Sequence, residues 1–125
     1  MNIQKYINAA QKESLKGSVT DWCMGAVIVR GGKIIGKGHN KSSGKVEKFE
    51  KLLNTKLWSL HAEMAAILDC NDDINGSILF IAGRKINGNR VYCRPCKHCL
   101  KIIRQMSFKA VYYETKTDIE AIFFG

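Results

Sequence analysis

Proline is almost missing from this chain, with a single residue in 125, and no apolar run approaches a membrane span. The run Cys23 to Val29 has only seven residues, against the ~20 that a spanning helix needs. One proline beside eleven glycines excludes a collagen-like chain and argues against a disordered one. Internal repeats, low-complexity segments and an obvious linker are lacking too, so a single domain over residues 1–125 is expected. The opening Met-Asn-Ile-Gln-Lys-Tyr lacks the apolar core of a secretion signal, which points to a cytoplasmic protein without membrane association. Acidic residues are absent between Asp73 and Glu114, yet Arg84, Lys85, Arg90, Arg94, Lys97, Lys101, Arg104 and Lys109 all fall there.

Apolar residues make up 46% of the chain and charged residues 25%, which is ordinary for a globular domain with a real core. The formal net charge is +9, with a pI near 9.5. Such a field attracts anions, nucleotide phosphates and nucleic-acid backbones among them. A solvated basic surface that only keeps the protein soluble is the plain alternative.

The five cysteines stand at 23, 70, 93, 96 and 99, and an odd count without a signal peptide does not read as a disulfide framework. Three crowd into Cys93-Arg-Pro-Cys96-Lys-His-Cys99, a spacing that suggests metal. Cys23 and Cys70 lie in apolar settings and read as buried small hydrophobes.

Ile3, Tyr6, Ile7 and Ala10 recur at helical spacing within residues 2–16, and Gly17 is the expected stop. Met24–Arg30 reads as a buried strand, Gly31-Gly32 as a two-residue hairpin turn, and Lys33–Gly38 as the returning partner. His39 to Leu57 lacks a steady period and reads as a long loop with room for a short helix. Trp58–Cys70 reads as a helix through Leu60, Met64, Ile67 and Leu68, and Ser77–Ala82 as a second buried strand. A basic loop, Gly83–Arg94, leads to Pro95, which suits the first turn of a helix through Leu100, Ile102, Ile103 and Met106. Lys109–Glu114 is a further strand, and Asp118–Phe124 a terminal helix or strand. Strands alternating with helices predict an α/β sandwich with later parallel strands. Right-handed crossovers would put the 58–70 and 95–106 helices on one face, both opening at the same end of the sheet.

That topology brings His61 and Glu63 near Cys96 and Cys99. Cys96 and Cys99, three apart, share one face of a helix whose N-terminus favours thiolate. One imidazole and two thiolates are three ligands of a tetrahedral zinc, and an open fourth position is catalytic in character. Glu63 lies about 200° around a helix from His61, too far to share the metal from a regular helical position. Near the helix start it is placed instead to reach a metal-bound water and move its protons.

His61-Ala-Glu63 followed by Pro95-Cys-Lys-His-Cys99 resembles the zinc signature of the cytidine/deoxycytidylate deaminase superfamily. Gly25-Ala-Val-Ile-Val and Ile34-Ile-Gly-Lys-Gly-His-Asn40 resemble that family's first hairpin and substrate loop. The segment Ile102–Tyr112 is similar to the one that follows the second zinc helix in nucleotide deaminases. The resemblance implies a three-layer α/β/α fold with a mixed sheet, zinc held by His61, Cys96 and Cys99, and Glu63 as proton shuttle. It also implies substrate contacts from Asn40, the Ala62 backbone N–H and Pro95, and assembly into homo-oligomers. Departures from the pattern are present: Gly38-His-Asn-Lys-Ser-Ser43 stands where deoxycytidylate deaminases carry Gly-Tyr-Asn-Gly, and Leu100-Lys-Ile-Ile103 follows Cys99 where tRNA adenosine deaminases show Gly-Ala.

The expected function is zinc-dependent hydrolytic deamination of a cytosine-containing nucleoside or nucleotide. The loops at 40–57 and 84–94 are expected to supply specificity and phosphate contacts. Trp58, Tyr92 and Phe49 flank the site in sequence and could stack on a base, although core or rim packing is the commoner role of aromatics. Two alternatives stand beside it. The basic stretch could guide tRNA or single-stranded DNA to the same chemistry. A non-enzymatic nucleic-acid module with structural zinc would instead close the site with Cys93 as fourth ligand.

Overall fold

The computed structural model describes residues 1–17, 22–41, 46–57 and 60–124. In chain order the elements are α1 (Ile3–Ser14), β1 (Trp22–Arg30), β2 (Lys33–His39), α2 (Glu47–Leu53), α3 (Ala62–Asp69), β3 (Ile78–Lys85), α4 (Lys97–Gln105), β4 (Ala110–Glu114) and β5 (Ile119–Phe123). The strands form one sheet in the order β2-β1-β3-β4-β5. Pairs β1/β2, β1/β3 and β4/β5 are antiparallel, whereas β3 and β4, joined through α4, run parallel. Among the described residues, no helix is long and apolar enough to cross a membrane.

The near-continuous apolar runs in the central strands follow from burial on both faces. Ala26 and Ile28 of β1, Leu79 and Ile81 of β3, and Val111 and Tyr113 of β4 point into a core shared with α2, α3 and α4. The residues between them, Val27, Val29, Phe80, Ala82 and Tyr112, point to the other side, against Tyr6, Ile7 and Ala10 of α1. This period-two alternation makes three layers, with α1 on one face and three helices on the other.

The predicted elements are present, and their ends moved where the apolar pattern was silent. Gly31 and Gly32 have φ of 59° and 77°, the left-handed values that a tight hairpin turn needs. Helix α3 starts later than expected: Leu60 bridges Lys41 and His61 caps the helix, while 58 and 59 lie outside the described residues. Strand β3 runs on to Lys85 because Gly83, Arg84 and Lys85 pair with Met24, Cys23 and Trp22, so the basic loop begins later than its polarity implied. Pro95 lies ahead of the first turn of α4, since Cys96 is the cap. The terminal segment is a strand, antiparallel to β4. Cys23 and Cys70 are half-buried, with sulfurs donating to the Gly17 and Asp72 carbonyls.

Helix α3 can sit close on β2 because Gly36 and Gly38 face it. A Cβ at Gly38 would stand 2.3 Å from the Ala66 nitrogen and 2.7 Å from the Ala62 carbonyl oxygen. Both atoms are helix backbone and cannot rotate away. Gly38→Ala is therefore expected to destabilise the protein by about 3 kcal/mol through overpacking, read as a lowered urea midpoint. An unchanged midpoint would mean the helix does not ride that close to the strand.

Candidate metal centre

Both functional helices open at the end of the sheet where β3 and β4 finish. His61 is the N-cap of α3, in extended conformation with φ −72° and ψ 157°. The Leu60–Lys41 bridge ties the residue before it to the chain just beyond β2, with backbone bonds of 2.9 and 3.1 Å. Cys96 is the N-cap of α4, and its sulfur accepts the Cys99 N–H at 3.5 Å. Caps leave the regular helix, so each ligand is turned across the gap between the two helix starts.

The ligand atoms of His61, Cys96 and Cys99 all lie within 4.8 Å of one another. His61 Nδ1 is 3.2 Å from Cys99 Sγ and 3.8 Å from Cys96 Sγ. Cys99 is buried, Cys96 exposed and His61 half-buried, so the group opens to solvent on one side. Its electrostatics suit a cation. The Cys96 thiol is drawn down to about 3, chiefly by a hydrogen bond from the Cys99 thiol, with His61 adding to it. The Cys99 thiol is pushed strongly up by the same hydrogen bond and by burial. The His61 imidazole is raised by its hydrogen bond to Cys96, against the pull of burial. Two sulfurs and a ring nitrogen thus crowd around shared protons, and this donor set and spacing fit zinc, which favours Cys and His ligands in tetrahedral array.

Glu63 sits in the first turn of α3 and is 6% exposed. Burial pushes its carboxyl up, against the pull of its own backbone N–H and of His61. A carboxyl whose charge is disfavoured by burial holds a proton more readily than one in water, which suits a group that must both accept and give one. Ala62 opens the helix, where first-turn N–H groups have no intrahelical acceptor.

Asn40 follows β2 and braces the start of β1: its Oδ1 accepts the Met24 N–H at 2.9 Å and its Nδ2 donates to the Trp22 carbonyl at 2.9 Å. Pro95 is buried directly before Cys96. Cys93 does not join the metal group. It is 1% exposed, its thiol is pushed up to about 12 chiefly by burial, and its sulfur donates to the Val91 carbonyl. A closed site with Cys93 as fourth ligand has no support in this geometry.

Phe49 is fully buried beneath α2, in the core-packing role, and cannot stack on a base. One expectation about the surroundings is corrected. Arg84 and Arg90 turn onto the buried carboxylate of Glu114 instead of facing a phosphate, with N···O distances of 2.5 and 3.4 Å. Tyr92 is 46% exposed, and Trp58 lies outside the described residues. Glu114 escaped sequence reasoning. It is the first acid after the long basic stretch, but nothing local marks it as the partner of Arg84 and Arg90.

A family model described as the cytidine and deoxycytidylate deaminase zinc-binding region matches residues 1–115. Among solved structures, the chain resembles the apo dCMP deaminase of cyanophage S-TIM5, with a TM-score of 0.68 and 26% identity over 93% of this chain and 84% of that one. The same phage enzyme in complex with dCMP and dUMP gives a TM-score of 0.62 and 26% identity, over 88% of this chain and 78% of that one. A mutant cytidine deaminase from Mycobacterium tuberculosis shares the fold, with a TM-score of 0.61 at 15% identity over 96% and 90% of the two chains. No curated protein sequence gives a significant match.

Proposed function

Because this chain belongs to the cytidine and deoxycytidylate deaminase family, we propose that it hydrolyses the exocyclic amino group of a cytosine-containing nucleoside or nucleotide, deoxycytidylate being the favoured substrate. The observation that carries this reading is a buried Glu63 in the first turn of the helix capped by one member of an open His61–Cys96–Cys99 group. The likeness at 26% identity to a phage dCMP deaminase, crystallised with dCMP and dUMP, supports the nucleotide branch.

In this mechanism His61, Cys96 and Cys99 hold zinc, which when bound supplies Lewis acidity that brings the pKa of a water toward neutrality. Glu63 takes a proton from the attacking water and passes it to the ring nitrogen beside the amino-bearing carbon. A second proton relayed by Glu63 goes to the amine, which leaves as ammonia while the carbonyl forms. Cytosine plus water thus become uracil plus ammonia, and the carboxyl ends as it began. The Ala62 N–H, at the open end of α3, donates to the pyrimidine carbonyl. Asn40 retains one N–H and one lone pair beyond its bonds to β1, enough for a sugar hydroxyl. Pro95 acts from behind, as packing beneath the wall that Cys96 completes. Exposed Lys97, directly after Cys96, replaces Arg84 and Arg90 as the phosphate contact. A cytoplasmic setting and a homo-oligomer complete the reading.

The outer face of α4 carries exposed Lys97, Lys101 and Arg104, which keeps a polynucleotide substrate as the second reading. Turnover of cytidine, deoxycytidine, their monophosphates, a tRNA and single-stranded DNA at several salt concentrations separates the two. The expected result is highest kcat/KM on deoxycytidylate with a shallow salt dependence. Activity confined to the polymers, falling steeply with salt as several phosphate contacts require, would overturn the free-nucleotide assignment.

A further inference from the structure

Glu114 ends β4 and is 2% exposed. Its carboxylate gathers donors from three separate parts of the chain. Gln11 Nε2 of α1 lies 2.6 Å from Oε2, Arg84 Nη1 of β3 lies 2.5 Å from Oε1, and Arg90 Nη2 lies 3.4 Å from Oε2. The Gly83 N–H also reaches Oε1, at 3.4 Å. The backbone carbonyl of the same residue accepts the Cys93 N–H at 2.8 Å. Glu114 therefore grips the segment after β3 twice, through the Arg90 side chain and through the Cys93 backbone.

That segment leads directly to the metal group. From residue 91 to 96 burial alternates: Val91, Cys93 and Pro95 are buried, while Tyr92, Arg94 and Cys96 are exposed. Side chains on extended backbone switch faces at every residue, so a slip of one position would turn Cys96 into the core and Pro95 outward. No regular strand ladder fixes the register here. It is held by the isolated Arg84–Arg90 bridge, the Cys93–Glu114 backbone bond and the charges on the Glu114 carboxylate, with Arg94 donating to the Tyr113 hydroxyl at 3.0 Å. Buried ion pairs are poor sources of net stability compared with apolar packing, but guanidinium forks impose direction. Arg90 also donates to the Asp118 carbonyl at 2.8 Å, which ties the same segment to the β4–β5 turn.

We infer that Glu114, acting through Arg84 and Arg90, is a positioning residue for the zinc centre, fixing residues 90–96 in the register that presents Cys96 to His61 and Cys99. The inference rests on the zinc centre and is independent of which substrate the site takes.

Zinc affinity, measured by competition against a chromogenic chelator, tests it without recourse to turnover. Arg90→Gln is the main variant. Its side chain is only partly buried, and a cavity of about 250 Å³ beside Gln11, Arg84 and Glu114 lets water replace the lost guanidinium, so the protein still folds. Glu114→Gln is the second, harsher variant. Arg30→Gln serves as reference, since it breaks an ion pair with Asp73, 3.8 Å long, at the far end of β1. Arg90→Gln is expected to weaken zinc binding by about 10–100-fold, the range seen for partners that orient metal ligands, with Arg90→Lys recovering part of the loss. Arg30→Gln is expected to leave zinc affinity unchanged at a comparable urea midpoint of the metal-free protein. Wild-type affinity in Arg90→Gln would overturn the inference. So would an equal loss in Arg30→Gln, since the effect would then follow stability alone.

Discussion

Glu63→Gln is expected to lower turnover by about three orders of magnitude or more, the scale of general acid–base catalysis by a positioned group, while zinc content stays at the wild-type level. The amide keeps the shape of the side chain and removes its ability to carry protons. Because burial already disfavours the charge of this carboxylate, the neutral variant should fold at least as stably as the parent. A urea midpoint equal to or above wild type, together with lost ammonia release, is the paired signature. A Glu63→Gln enzyme with full turnover would show that protons reach the leaving amine by another route.

The second large effect concerns the ligands themselves. Cys99→Ala removes a buried sulfur that stands 3.2 Å from His61 Nδ1, and leaves one sulfur and one imidazole to hold the metal. Zinc binding should weaken by at least about a thousandfold, since ligand loss removes most of the binding free energy of such sites. Cys93→Ala is the contrasting variant. Its sulfur faces the Val91 carbonyl and lies outside the group, so zinc should remain and only a small packing loss follow. Metal analysis after dialysis against a weak chelator separates the two outcomes. Equal zinc loss in both variants would bring Cys93 into the centre.

The legible parts of this sequence were those that repeat a physical pattern. Met24–Val29 and Ser77–Ala82 read as strands because burial on both faces demands unbroken apolar residues, and Gly31-Gly32 read as the turn from the first of them to Lys33–Gly38 because few other residues accept left-handed backbone. The zinc group was legible for a different reason. His61, Cys96 and Cys99 combine rare residue types at spacings set by metal geometry, and the two helix starts bring them within 4.8 Å. Polar tertiary partners were not legible. Arg84 and Arg90 have the composition of a phosphate-binding loop, and nothing local reveals that a carboxylate at the end of β4 claims both. Phe49 likewise lay in a polar, aperiodic stretch, and its burial follows only from α2 closing over the core. Element ends moved for the same cause: Lys85 is in a strand because Trp22 stands opposite it, not because of its own propensity.

Cys96 at a helix cap, exposed and drawn to its thiolate, joins the two halves of the account, since it is both a ligand and the point where the Glu114 grip ends. X-ray absorption at the zinc edge of the loaded protein reads that arrangement directly. The account predicts a first shell of two sulfurs and two light neighbours, one of them the His61 imidazole and the other exchangeable with solvent. A shell with a third sulfur would mean that Cys93 closes the site, and the assignment of an open, catalytic zinc centre would be wrong.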